Sequence, residues 1–333
     1  MATIQDVATR AGVSRSTVSY ALSGKRVISL ETKERIEAAI QELRYTPNAG
    51  ARALATAQTL VIGLFVQFFQ DEFSPAMLQY VLPVADAARE AGYDILMVTD
   101  TDGPTALDRV SSSEMVDGVV LLNVAHDDPR LPVMRKVRQP GSMIGLPENT
   151  EGFDVFDLDF EESGRALVDH LAARGHREIV LITPHKDVYE RGHAYGWRFQ
   201  NAALQRAASH GIDVRSVHGE TQQPAVNQQL LEILAADLGS ALIVHNDAVI
   251  AALPSALHAA GVRVPDDLSV VGMFSEAFAR LFNLPYTAVE TSPGELGRLA
   301  VQALVRHMLE PEHAGPHRVE LIAPRITDRG STK

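Results

Sequence analysis

Apolar residues recur at helical spacing through the first 45 positions: Ile4, Val7, Ala8 and Ala11, then Val18, Ala21 and Leu22, then Ile36, Ala39, Ile40 and Leu43. That period predicts three short helices. Thr3 is the expected N-cap of the first, and Gly12 its end, because glycine takes the left-handed backbone of a helix terminus without strain. Ser14 is expected to cap the second helix, over 15–22, and Ser29 to start the third. The link Ala11-Gly12-Val13-Ser14 is the short, glycine-containing turn that lets two helices cross steeply, with Val13 plugging the corner. From Leu60 the pattern changes to strands alternating with amphipathic segments such as 77–91 and 164–174. Strands are predicted at 60–66, 93–98, 118–122 and 142–144, and in a second series at 179–183, 214–217, 241–244 and 268–272. The alternation predicts mostly parallel sheets covered on both faces, and two series of similar length predict two doubly wound lobes. Ligands of such sheets sit at the strand carboxyl ends, which makes the cleft between the lobes the natural pocket.

At 333 residues and 46% hydrophobic, the chain is long enough for two or three units with real cores. No stretch reaches the roughly 18–20 apolar residues of a membrane helix, and the start shows no export signal, so a cytoplasmic protein is expected. Without cysteine there is no disulfide, thiolate metal site or thiol nucleophile. The net charge of −12 argues at first against nucleic acid. Its distribution argues the other way: residues 1–59 hold eight Lys/Arg against five Asp/Glu, a head of +3 on a body of −15. A basic head on an acidic body fits a local DNA contact.

The second helix presents Arg15, Ser16 and Tyr20 away from its Val18/Leu22 side, near the N-terminus that enters the major groove in helix-turn-helix proteins. Arginine bonds guanine bidentately, and serine bonds base edges or phosphate. Taken with this turn, the segments Thr3-Ile4-Gln5-Asp6-Val7-Ala8, Thr17-Val18-Ser19, Tyr45-Thr46-Pro47-Asn48, Ala51-Arg52 and Leu54 closely resemble the opening of the lactose-repressor (LacI/GalR) family of bacterial regulators, and the similarity extends through nearly the whole chain. Tyr20 departs from it, since many members carry arginine there.

The resemblance implies a helix-turn-helix head at 1–46, a hinge helix and linker at 47–59, and a body of two periplasmic-binding-protein-type lobes. The N-terminal lobe is expected at 60–157 plus about 293–318, and the C-terminal lobe at 158–287 plus about 319–333, with crossings near 156–159, 286–292 and 320–323. It also implies DNA contacts from Thr3, Ser14, Arg15, Ser16, Thr17 and Tyr20, and from the hinge residues Asn48, Ala51, Arg52 and Leu54, the last as a minor-groove wedge. Two-fold pairing of heads implies a homodimer on a near-palindromic operator, with no heptad at 324–333 to build a tetramer. The expected function is an operator-binding repressor whose DNA affinity is set by a small molecule, sugar or glycoside-like, in the cleft. Corepressor-dependent or ligand-insensitive regulation is the alternative.

For the effector, family positions point to Phe69, Phe73, Asp127 and Asn246. Two departures stand out: His193 replaces an arginine, with Arg191 nearby but rotated about the helix, and Phe274 replaces an aspartate that usually accepts from ligand hydroxyls. With Trp197 these complete the candidate set, and a pocket that loses both a cation and an anion favours an effector with an apolar or aromatic portion, or a glycoside held mainly by stacking. An enzyme is not expected: there is no P-loop, no Gly-x-Gly-x-x-Gly after the first strand and no Gly-x-Ser-x-Gly. Nor is a cofactor or metal; His307, His313 and His317 lack regular ligand spacing and read as surface residues. A transport receptor would share the body but need an export signal and no head.

Overall fold

A computed structural model describes residues 2–23, 28–45, 58–69, 72–236, 240–310, 312 and 315–333. The hinge candidates Asn48, Ala51, Arg52 and Leu54, and His313, lie outside them. The chain divides into a small unit, residues 1–60 with 114–117, and a large unit holding the rest.

The small unit contains α1 (Ile4–Ala11), α2 (Arg15–Ser23) and α3 (Leu30–Leu43). Thr3 and Asp6 form a reciprocal capping box that satisfies two otherwise orphaned N–H groups of α1. Gly12 ends α1 at φ 68°, the left-handed backbone expected of it. The Ser14 hydroxyl accepts from Thr17 N–H at 3.1 Å and so caps α2. Ser29 caps α3 in the same way through Thr32 N–H. Val7, Ala8, Ala11, Val18, Ile36 and Ala39 close a core small enough to need every one of the predicted apolar positions.

The large unit opens with β1 (Val61–Phe65), α4 (Ser74–Glu90), β2 (Asp94–Val98), α5 (Gly103–Ser112), β3 (Gly118–Leu121), α6 (Leu131–Met134), β4 (Gly141–Ile144) and β5 (Asp154–Leu158). It continues with α7 (Phe160–Ala172), β6 (Glu178–Thr183), α8 (Lys186–Glu190), α9 (Ala194–Ser209), β7 (Asp213–His218), α10 (Ala225–Ala235), β8 (Ala241–Val244), α11 (Asp247–Ala260), β9 (Ser269–Met273), α12 (Glu276–Phe282) and β10 (Thr287–Val289). It ends with α13 (Pro293–Leu309), β11 (Val319–Ile322) and β12 (Ile326–Thr327). Two six-stranded sheets result, in the orders β11-β5-β4-β3-β1-β2 and β12-β10-β9-β8-β6-β7. All pairings are parallel except β10 with β12, whose short strand returns antiparallel along the edge.

The chain passes between sheets after β5, after β10 and after β11. The segments expected only as crossings are themselves strands that end at the crossing. One boundary moves: residues 319–322, expected in the C-terminal lobe, pair with β5 in the first sheet, because register with Val155 to Leu158 carries them through Ile322. Helices cover both faces closely. On α7, a Cβ at Gly164 would lie 2.6 Å from the Phe199 carbonyl oxygen, so glycine there lets α7 and α9 touch along their backbones.

Candidate functional site

On the small unit, the first turn of α2 leaves Arg15 and Ser16 exposed, with Tyr20 exposed a little over one turn on. Arg15 makes no ion pair or hydrogen bond among the described residues. A cation free at a helix N-terminus gains nothing from the helix dipole, so it is placed for an external anion or acceptor rather than for stability. Thr3 and Ser14 are engaged as caps, and the Ser16 and Thr17 hydroxyls lie 2.7 and 2.8 Å from the Ser14 hydroxyl. The polar N-terminal face of α2 is thus pre-organised by its own hydrogen bonds.

On the large unit, the carboxyl ends of both sheets face a cavity of about 190 Å³. The first lobe contributes Glu72, Phe73, Met77 and Tyr80 from the start of α4, Asn123 after β3 and Asp157 from β5; the second contributes Phe160, His193, Tyr195, His245, Asn246 and Asp247. The lobes are bridged around it. Arg191 reaches Glu72 at 3.2 Å, His126 N–H donates to the Gly192 carbonyl at 2.8 Å, and Ser275 hydrogen-bonds Gln79. Phe73 packs against Phe278 and Phe282 of the second lobe.

The cavity's charge is one-sided. Its wall holds three carboxylates and the amides of Gln79, Asn123 and Asn246, with no lysine or arginine among the described lining residues. Asp157 is held by Arg198 at 2.9 Å behind the wall, yet burial outweighs this cation and pushes its pKa up to about 6. Burial pushes the Asp247 pKa up to about 7, although part of its surface still faces the cavity. Burial also raises the Tyr80 and Tyr195 hydroxyls, with nearby carboxylates adding to the shift. His245, stacked on Phe160 and packed against Tyr195 and Phe199, is lowered by burial to about 3 and is neutral.

These shifts fix a pH dependence. An aspartate raised from 3.8 to about 7 binds more protons folded than unfolded, so its stabilising contribution is complete below pH 3.8 and lost as pH rises to 7. His245 acts oppositely: its contribution is present above 6.5 and lost as pH falls towards 3. Because the two overlap, the informative quantity is a difference. Asp247→Asn is expected to gain stability relative to the parent progressively from pH 4 to pH 7, measured by denaturant unfolding at each pH. A constant difference across that range would contradict the assignment.

Of the predicted effector residues, the cavity gathers Phe73, His193 and Asn246. Phe69 and Arg191 lie one layer behind it: the guanidinium stacks on the Phe69 ring at 4.1 Å, and the ring packs against His193. Trp197 packs edge-on against His126, away from the wall. Asp127 is exposed; its neighbour Asp128 is the buried one, paired with Arg130 at 2.7 Å. Phe274 is 1% exposed in the second lobe's core, beneath Arg329, because its ring turns in against the lobe where a polar side chain would have faced ligand. Sequence reasoning missed Tyr80, Tyr195 and Asp247. Tyr80 shares a helical stripe with Phe73, Ala76 and Met77, a pattern that reads as ordinary core.

Residues 3–48 match the family described as "Bacterial regulatory proteins, lacI family", and residues 168–332 match the "Periplasmic binding protein-like domain". Across 93% of the chain and 94% of the relative, it is 30% identical to the "HTH-type transcriptional regulator CelR" of Thermobifida fusca. The chain belongs to the LacI family. This LacI-family chain is therefore a DNA-binding transcriptional regulator with a ligand-binding body. The fold of a CelR–cellobiose complex matches it with a TM-score of 0.66 at 26% identity, covering 99% of this chain and 100% of that one. The lac repressor dimer bound to operator and the anti-inducer ONPF matches in fold with a TM-score of 0.81 at 23% identity, covering 99% of each chain. No described helix of this LacI-family chain is long and apolar enough to cross a membrane.

Proposed function

We propose that this chain represses transcription as a homodimer on a near-palindromic operator, and that a neutral, polyhydroxylated small molecule, a sugar or glycoside, sets its DNA affinity from the interlobe cavity. The observation that carries the ligand class is the make-up of the wall. Aromatic rings offer stacking faces to a sugar ring, while carboxylates and amides accept from its hydroxyls. A wall that offers carboxyl and amide oxygens but no lysine or arginine among its described residues has nothing to pair the charge of a phosphorylated or carboxylated ligand. The relative solved with cellobiose supports a saccharide in this position.

Dimerisation is supported by apolar side chains left in water. Leu78 and Leu82, one turn apart on α4, Met97 on β2 and Leu281 on α12 remain 44–66% exposed, and α4 touches both of the other elements. Such a patch rimmed by polar residues marks an association surface. In this reading Arg15, Ser16 and Tyr20 meet base edges, the Asn48, Ala51, Arg52 and Leu54 segment pairs with its partner over the operator centre, and lobe movement alters that pairing. The protein acts in the bacterial cytoplasm and catalyses no reaction.

Selection of duplexes from a random pool by the full chain, with and without matched pairs of neutral and phosphorylated sugars, tests all of this. A dyad-symmetric motif is expected, with affinity moved about 5- to 150-fold by a neutral sugar and unmoved by its phosphate. Enrichment no better than random DNA would overturn the DNA reading; a response to the phosphorylated member alone would overturn the ligand class.

A further inference from the structure

Asp154 begins β5, at the end of the strand away from the cavity, and its side chain is fully buried. One carboxylate oxygen, Oδ1, accepts from the Arg318 backbone N–H at 3.1 Å and has the Arg306 guanidinium at 3.9 Å. The other, Oδ2, faces two imidazoles: His307 Nε2 from the last turn of α13 at 2.7 Å, and His317 Nδ1 from just before β11 at 3.4 Å. The three donor atoms lie within 4.8 Å of one another.

We propose that Asp154, His307 and His317 form a site for a divalent transition-metal ion of the zinc type, with water as fourth ligand. Two imidazoles and one carboxylate oxygen are the donor set such borderline ions take. Four-coordinate bonds of about 2.1 Å place neighbouring ligand atoms about 3.4 Å apart. The contact from Oδ2 to His317 already has that length, and the contact to His307 needs to open by about 0.7 Å. The two rings stack at 4.4 Å between centroids, so they must turn until the ion lies in both ring planes. His317, with 36% of its side chain exposed, has the room to turn.

The surroundings support a bound species. His307 Nε2 is near Asp154 but misaligned for a hydrogen bond, and it is buried without a partner, as are Arg306 Nε and the hydroxyl of Ser142. Ser142 is the register neighbour of Asp154 on β4, which puts both side chains on one face of the sheet. Buried polar atoms left unpaired in one place are the mark of a missing water or ion. The hold on Oδ1 is what a metal-ligating carboxylate needs, since its outer partners fix which oxygen points at the ion. Sequence spacing hides the site, because its residues come from three segments separated by more than 150 positions at the widest. An ion here staples the end of α13 and the approach to β11 onto β5, and so stiffens the first lobe without touching the cavity.

The test uses the full chain stripped with chelator and titrated with zinc alone by calorimetry, and with cobalt(II) by visible absorption. One equivalent per chain is expected, with tetrahedral cobalt bands and a higher melting temperature on zinc addition. His317→Ala and His307→Gln should each weaken zinc binding at least tenfold and remove the cobalt bands, and the zinc-dependent rise in melting temperature, read against each variant's own metal-free melting, should vanish in both. The proposal is overturned if no one-equivalent site exists, or if both variants bind zinc as the parent does, which would assign the uptake to other histidines and the buried gap to water.

Discussion

Arg15→Ala is expected to weaken operator binding by roughly 2–6 kcal/mol for a dimer, about 30- to 20,000-fold, since each half-site loses about 1–3 kcal/mol. The size follows from where Arg15 stands. It is exposed in the first turn of α2, has no competing partner among the described residues, and extends from a helix whose start is fixed by the Ser14 cap. Its substitution therefore costs the head nothing in folding, and the whole loss falls on DNA. Measured against duplexes altered one base pair at a time, the variant should lose preference at a single position in each half-site. Uniform weakening on all sequences, with a shallower dependence on salt, would instead make Arg15 a phosphate contact.

The second large effect lies in the body. Arg198→Met is expected to destabilise the chain by about 1–3 kcal/mol at pH 7, because it removes the cation from a buried pair and leaves a carboxylate that must take up a proton to stay buried. Arg198 and Asp157 are 11% and 8% exposed and 2.9 Å apart, bridging α9 of one lobe and β5 of the other. With the Asp157 pKa already raised to about 6, removal of the guanidinium raises it further, so at pH 5 the carboxyl is protonated and the penalty shrinks. Denaturant midpoints at the two pH values decide the matter. An equal loss at both would mean that methionine merely packs badly, and no loss at pH 7 would mean that the pair is well hydrated.

Local rules carried much of this molecule. The Thr3 cap, the left-handed Gly12 and the Ser14 and Ser29 caps were legible because each depends on residues within four positions. So were eight of the strands, most of them marked by short apolar runs. Strands β5, β10 and β11 were harder to see: β5 carries two aspartates in five residues, β10 is only three residues long, and β11 alternates exposed and half-buried positions at a sheet edge. The cavity divided along the same line. Asn246 follows a strong strand and lines the wall as expected. Phe274 follows another, but a side chain near a strand end points either to ligand or to core, and only packing chooses. Tyr195 and Asp247 gain their meaning from the opposite lobe, over distances in sequence that periodicity does not span.

Three separate chain passages join the two sheets. Two bodies tied by one tether can tumble; tied by three, they keep essentially one freedom, a swing about the line the tethers define. The girth of whatever occupies the gap then sets the angle. A slim guest lets Arg191 keep its grip on Glu72, while a bulky one props that latch open. One pocket could thus tighten or loosen the grip on DNA according to the breadth of its occupant alone, and compounds differing by a single substituent would sort into opposing classes.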